Sequence, residues 1–239
     1  MKILDLTFLS SADNLACDEA LLDEAEATDG EEILRFWEPK KYFIVLGYSN
    51  AWKEEVLLTA QKSKAIPIFR RCSGGGTVLQ GPGCLNYSLI LKISQNDSWC
   101  NITKTNKYVM EKHRQALETL TQKKVAVQGH TDLTIQSLKF SGNSQRRKQK
   151  WLLFHGTFLL NFNLSQITRC LQIPLKQPLY RNNRPHLSFV TNLRIPSDAL
   201  KKTLSCLWNA THPLQNIPHD KIKHLSNERY SRQLWIKKF

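Results

Sequence analysis

Arg70-Arg71-Cys72-Ser73-Gly74-Gly75-Gly76-Thr77-Val78-Leu79-Gln80-Gly81-Pro82-Gly83-Cys84-Leu85-Asn86-Tyr87-Ser88 runs through a triple-glycine loop between two strand-like segments. The apolar run Ala65-Ile66-Pro67-Ile68-Phe69 leads into it. The segment that leaves it puts Asn86 and Ser88 on one face and Leu85, Tyr87 and Leu89 on the other. Three glycines remove every Cβ, so backbone N–H groups can come close to a ligand. A run of such amides is an anion-binding concavity, and arginines supply planar, permanently charged forks. The stretch therefore predicts the handling of an anion, a phosphate by preference. It is not a P-loop, because Pro82 and not Lys follows Gly81, and it lacks G-x-G-x-x-G. A glycine triplet alone is most often a turn, and paired arginines are most often solvated, so the loop takes its weight from its neighbours.

Those neighbours alternate in period. Residues 11–28 carry a helical pattern that opens near Ser11-Ala12-Asp13 and ends before Asp29-Gly30. Glu32–Trp37 and Tyr42–Gly47 read as strands, Lys53–Ser63 as a helix, and 66–71, 77–80 and 84–93 as strands around the loop. Asn106–Gln122 has helical spacing. Val125–Val127, Asp132–Gln136, Leu138–Phe140 and Trp151–Asn161 read as strands, and Leu164–Leu171 and Pro196–Trp208 as helices. The basic tract Gln145-Arg146-Arg147-Lys148-Gln149-Lys150 is expected in an exposed hairpin loop. Strands in clusters with helices between them predict an α+β layer fold.

At 239 residues and 41% hydrophobic the chain can bury a core as one domain, taken as residues 1–239. No stretch has the length of a membrane span, and acids interrupt the first residues too early for a signal peptide. Cysteines at 17, 72, 84, 100, 170 and 206 show no C-x-x-C spacing, which predicts a reducing, cytoplasmic setting without structural zinc. The net charge of +14 is uneven: residues 1–60 sum to −8 and the remainder to +22. Such a field favours an anionic partner, either nucleic acid or an acidic carrier protein, or simply serves solubility. No helix-turn-helix extension or aromatic-basic RNA motif supports nucleic acid.

The glycine stretch resembles the R-R-x-S-G-G-G-x-V-x-H-x-x-G-x-L-N-x-S motif of the lipoate–protein ligase A family. Five further elements follow that family's order: Leu46-Gly47-Tyr48-Ser49-Asn50-Ala51-Trp52-Lys53-Glu54, Thr131-Asp132-Leu133-Thr134-Ile135, Leu138-Lys139-Phe140-Ser141-Gly142-Asn143-Ser144, Phe154-His155-Gly156-Thr157-Phe158-Leu159-Leu160-Asn161 and Val190-Thr191-Asn192-Leu193. Gln80 and Phe154 depart from the pattern, each standing where the family usually has histidine. Tyr230-Ser231-Arg232-Gln233-Leu234-Trp235 resembles the close of the family's large domain, and the small C-terminal domain of many members has no counterpart here.

The resemblance implies mixed, largely antiparallel sheets flanked by helices, in the class II synthetase and biotin-ligase manner. It implies that lipoate and ATP form lipoyl-AMP and that the lipoyl group passes to a lysine of an acidic carrier. Such carriers are the lipoyl domains of 2-oxoacid dehydrogenases or the glycine-cleavage H protein, in some members with a separate accessory domain. Lys139 is implied as the catalytic residue, contacting the acyl carboxylate and the α-phosphate. On its own, a lysine in a short strand is most often an edge charge. Carried over by motif, the nucleotide and lipoate site comprises Arg70, Arg71, Ser73, Gly74, Gly75, Gly76, Thr77, Val78, Leu79, Gln80, Asn86, Asp132, Lys139, Ser141, Gly142, His155, Gly156 and Thr157. Asp132 is implied near a Mg²⁺ ion; its bland reading is a turn residue at a strand entry. His155 reads as a hydrogen-bonded core residue or as part of the acyl pocket. Phe36 and Trp37 are candidates for an acyl channel, although strand aromatics are usually core.

An octanoyl- or lipoyl-transferase of the same superfamily is the second reading. Those enzymes use a cysteine thiolate. No cysteine lies between Cys100 and Lys139, and Cys170 sits in a helical context at a short gap from His155, which predicts packing.

Overall fold

The computed structural model describes residues 1–59, 66–93 and 100–239. Among the described residues eleven strands form two sheets: β1 Lys2–Asp5, β2 Ile33–Trp37, β3 Phe43–Leu46, β4 Ile68–Arg70, β5 Val78–Gln80, β6 Cys84–Lys92, β7 Ala126–Gln128, β8 Asp132–Ile135, β9 Leu138–Arg147, β10 Trp151–Leu159 and β11 His212–Pro213. The large sheet has the order β11-β1-β2-β6-β10-β9-β8-β7, and the small one β4-β3-β5. From β2 to β7 all neighbours are antiparallel; β1 pairs parallel with β2 and β11, and β3 parallel with β4. The expected α+β class and its mixed, largely antiparallel sheet are what the chain adopts.

Alternation along the strands separates two faces, because successive side chains point to opposite sides. Leu34 and Phe36 of β2, Leu85, Tyr87 and Leu89 of β6, and Leu152, Phe154 and Phe158 of β10 share one face. The helices Ile102–Thr121 and Ser197–Leu207 cover it through Val109, Met110, Leu117, Leu200 and Leu204. Ile33 and Trp37, Ile90, and Trp151 and Leu153 belong to the opposite face, under the Ser11–Thr28 helix. That helix starts at Ser10, whose side chain accepts from Asp13 N, and ends at Asp29 in the left-handed region. Its Leu15, Ala16, Ala20, Leu21 and Leu22 are buried. Phe36 is thus core, whereas Trp37 turns to the other side.

Two expectations about elements need correction. The helix expected over Lys53–Ser63 is broken: Trp52–Glu55 is helical and helical backbone returns at Leu58 and Thr59. Val56 is extended and bridges to Leu171, and residues 60–63 of the expectation lie outside the described residues. The basic tract 145–150 is not a loop throughout, because Gln145–Arg147 continue β9. Leu152 pairs with Arg147, so the turn closes over Lys148–Lys150. Arg147 is held by Thr105 Oγ1 at 2.9 Å and the Cys100 carbonyl at 3.1 Å, and bonds of that kind let a charged residue extend a strand. No helix among the described residues is long and apolar enough to cross a membrane.

Arg70 ties the C-terminal end to the loop. The residue is fully buried. It donates to the carbonyls of Gly47, Tyr48, Asn50, Trp235 and Ile236 at 2.8–3.1 Å, and Trp235 Nε1 donates back to Arg70 O at 2.8 Å. Removing it would orphan several carbonyls, each costing on the order of 1–3 kcal/mol if it stays dry. Arg70→Ala should therefore lower stability by about 3 kcal/mol or more, measured by urea unfolding. A variant as stable as the parent would show that these bonds are replaced by water.

Candidate functional site

Strand register builds the site row by row. Arg35 of β2, Ser88 of β6, His155 of β10 and Ser144 of β9 stand directly opposite one another. The next row holds Trp37, Asn86, Thr157 and Gly142. These rows lie on the face that carries the Ser11–Thr28 helix. A cavity of about 1040 Å³ opens there between the large sheet, the glycine loop and the segment 172–181.

Of the residues implied by motif, Arg71, Gly75, Gly76, Thr77, Val78, Leu79, Gln80, Asn86, Asp132, Lys139, Ser141, Gly142, His155, Gly156 and Thr157 line this one cavity. Arg70, Ser73 and Gly74 do not. The guanidinium of Arg70 is spent on the carbonyls named above, so it frames the loop without facing a ligand. Arg71 lines the wall, yet its donors also serve main chain. It reaches Gly74 O at 2.5 Å, Gly76 O at 2.8 Å and Ser73 Oγ at 3.2 Å. Ser144 Oγ adds a bond to Gly74 O at 2.9 Å.

With its carbonyls anchored, the loop leaves its amides over. Among the described residues no hydrogen bond is made by the N–H of Gly74, Gly75 or Gly76. Gly75 has φ +86°, a conformation that favours glycine. Unpaired amides at a cavity wall make a concavity suited to an anion.

Lys139 sits on β9 beside an irregularity. Leu133 faces Ser141 while Thr134 faces Lys139, so Phe140 is an extra residue, and such a bulge re-aims neighbouring side chains. Lys139 Nζ lies 2.8 Å from Asp132 Oδ1. A Cβ on Gly142 would stand 2.8 Å from that ammonium, so glycine there leaves room for it. Tyr180 Oη donates to Asp132 Oδ2 at 2.7 Å. Burial first, and then the neighbouring Asp132 carboxylate, push the Tyr180 phenol well above its usual range.

The cavity floor is neutral and polar. Gln80 Nε2 donates to Asn86 Oδ1 at 2.9 Å and to Thr157 Oγ1 at 2.7 Å, and Asn86 Nδ2 returns a bond to Gln80 Oε1 at 3.0 Å. The amide at 80 thus satisfies both partners without a titrating ring. Asn143 is fixed by Tyr87 Oη at 2.7 Å and by Thr131 O at 2.6 Å. Asp18, from the helix, reaches the cavity between Arg35 and His155. Burial works to raise its carboxyl, but Arg35 and then His155 hold it below the usual range. Asp18, Asn143 and Tyr180 are members that motif matching missed. Asn143 stands inside the matched element 138–144, whereas the neighbourhoods of Asp18 and Tyr180 carry no signal and long-range packing brings them in.

Asp132 was implied near magnesium. It offers one carboxylate whose two oxygens face Lys139 and Tyr180, and among the described residues no three His, Cys, Asp or Glu side chains converge. One carboxylate is what a magnesium ion sharing phosphate oxygens would use, so Asp132 would hold such an ion only together with a bound nucleotide.

Residues 10–205 match the model of the lipoyl protein ligase A/B catalytic domain. The chain belongs to that family. It is 26% identical over 233 residues to lipoate–protein ligase 1 of Staphylococcus aureus, covering 93% of this chain and 68% of the relative. It is also 26% identical over 186 residues to the octanoyltransferase LipM of Carboxydothermus hydrogenoformans, covering 72% and 69%. Ligases and transferases therefore both stand among its relatives. A crystal structure of lipoate–protein ligase A bound with ATP superposes with a TM-score of 0.84 at 21% identity, covering 99% of this chain and 98% of that one. A bipartite lipoate–protein ligase from Thermoplasma acidophilum, studied with its E2 lipoyl domain, gives 0.81 at 22% identity, covering 99% and 95%. At these identities the likeness concerns the fold.

Proposed function

We propose that this chain is a lipoate–protein ligase, acting as one catalytic domain. The observation that carries the reading is the pairing, in one cavity, of the unbonded Gly75 and Gly76 amides with the Lys139 ammonium. The carboxylate oxygen of lipoate attacks the α-phosphorus of ATP, the bond to the leaving phosphate breaks, and pyrophosphate departs. The amides take phosphate oxygens, and Lys139 lies between the two reacting anions. A fixed cation there lowers their repulsion and stabilises the charge that develops. Its present partner Asp132 is exchangeable, because Lys139 is 27% exposed at its side chain and needs no buried counter-ion. The carrier's lysine amine then attacks the acyl carbon, an amide forms, and AMP leaves.

The partner in this reading is an acidic lipoyl domain of a 2-oxoacid dehydrogenase, or the glycine-cleavage H protein. The bipartite archaeal ligase and its E2 lipoyl domain support a lipoyl-domain partner, and the +22 charge beyond residue 60 suits an acidic surface. A cytoplasmic setting belongs to this reading and suits six cysteines without C-x-x-C spacing. ATP-dependent lipoylation of an apo lipoyl domain, followed by mass spectrometry, tests the proposal. A carrier that stays unmodified with ATP and lipoate, but is modified by an acylated donor protein, would sink it.

The transferase alternative needs a thiolate at the cavity. None of the cavity-lining residues is cysteine. Cys170 is buried at the end of the Ser165–Cys170 helix against Ile44, Leu46 and Leu79, and burial pushes its thiol up. Cys84 is pushed up to about 12 and Cys17 to about 11, both by burial. A raised pKa withholds the nucleophilic thiolate. Cys170→Ser should therefore keep at least half of the transfer activity. A hydroxylamine-labile acyl adduct on Cys170, with activity lost in the variant, would put the transferase reading first.

A further inference from the structure

A line of bonds connects the Ser11–Thr28 helix to the glycine loop. It starts at Arg35, which is fully buried on β2 and donates to Asp18 Oδ1 at 2.5 Å, to Asn14 O at 2.8 Å and to Asn14 Oδ1 at 3.0 Å. Asn14 and Asp18 are four residues apart and share one helix face. The other oxygen of Asp18 meets His155 Nδ1 at 3.3 Å. His155 Nε2 meets Ser73 Oγ at 2.6 Å. Ser73 Oγ meets Arg71 Nε at 3.2 Å, and Arg71 carries the Gly74 and Gly76 carbonyls.

Of the two neutral forms of His155, one satisfies every link. The Asp18 carboxylate only accepts, so His155 Nδ1 must carry the hydrogen. His155 Nε2 is then an acceptor, and the Ser73 hydroxyl donates to it. The lone pairs of Ser73 remain for Arg71, which only donates. The opposite tautomer would aim an Nδ1 lone pair at the carboxylate.

We propose that Asp18 is a positioning residue that acts through His155 and Ser73 to hold the glycine loop with its amides toward the cavity. The inference rests on the adenylate-forming reading above, because it gives those amides their ligand. Ser73, His155 and Asp18 are the residue types of a hydrolytic triad, yet Ser73 is 1% exposed and does not line the cavity. A hydroxyl so enclosed positions the loop and does not attack.

Nitrogen-15 NMR of histidine-labelled wild-type protein reads the tautomer directly. His155 is expected as the Nδ1–H form, with Asp18→Asn shifting it toward Nε2–H and Asp18→Glu restoring it in part. Affinity for a non-hydrolysable lipoyl-AMP analogue should fall about tenfold or more in Asp18→Asn, as for the loss of partners that orient a site histidine. Ser73→Ala should lose affinity similarly while keeping the wild-type tautomer. An Nε2–H His155 in the wild type would overturn the proposal. So would analogue affinity within twofold of wild type in Asp18→Asn or Ser73→Ala, or labelling of Ser73 by a fluorophosphonate. Should Asp18→Asn not fold, the wild-type tautomer and Ser73→Ala decide. Should the wild type bind no analogue, the adenylate reading fails, and the tautomer alone judges the relay.

Discussion

Lys139→Ala should abolish lipoyl transfer while the protein stays folded. A single preorganised cation opposite developing charge is worth about a hundredfold or more in rate. Here the cation stands 2.8 Å from Asp132 and lines the same cavity as the glycine loop. Its stabilising role is small, because a partly exposed ion pair contributes about 0–1 kcal/mol. Asp132 keeps its bond from Tyr180 in the variant. Rate and stability should thus separate: carrier lipoylation falls about a hundredfold or more, and the circular dichroism spectrum and melting temperature stay near wild type. Near-normal activity would remove Lys139 from the chemistry. A collapsed spectrum would mean that the Lys139–Asp132 pair holds β8 to β9.

Gly75→Val should eliminate adenylate binding. At φ +86° a β-branched residue is strongly disfavoured. A Cβ there would also meet Arg71 Nη2 at 2.9 Å, the group that holds Gly74 O and Gly76 O. The substitution therefore strains the backbone and dislodges the anchor of the loop together. Gly74 and Gly76 differ, since a Cβ on either meets no protein atom within 4 Å. Calorimetry with a non-hydrolysable lipoyl-AMP analogue is the check. Unchanged affinity would mean that the glycine amides do not touch the ligand.

The glycine triplet, the lysine on the strand and the split faces of β6 are legible in sequence because each is a local pattern. Leu85, Tyr87 and Leu89 go to the core and Asn86 to the cavity, as period two requires. Arg70 misleads, because a pair of arginines before a glycine loop reads as two ligand forks. That Trp235 and Ile236 would claim one of them depends on a contact across 165 residues. Asp18 is silent for the same reason: nothing in Ala16-Cys17-Asp18-Glu19 tells a buried relay carboxylate from a solvated one. The tract 145–150 reads as a loop because its charge suggests solvent. Here long basic side chains keep a strand through bonds at its edge, as Arg147 does to Thr105 and Cys100.

Release of pyrophosphate from ATP by the purified chain, with no second protein present, tests ATP-dependent ligation most directly. Release that requires lipoate, and that disappears in Lys139→Ala, is the expected result. ATP left intact, while an acyl group still moves from an acylated donor protein to the carrier, would contradict it.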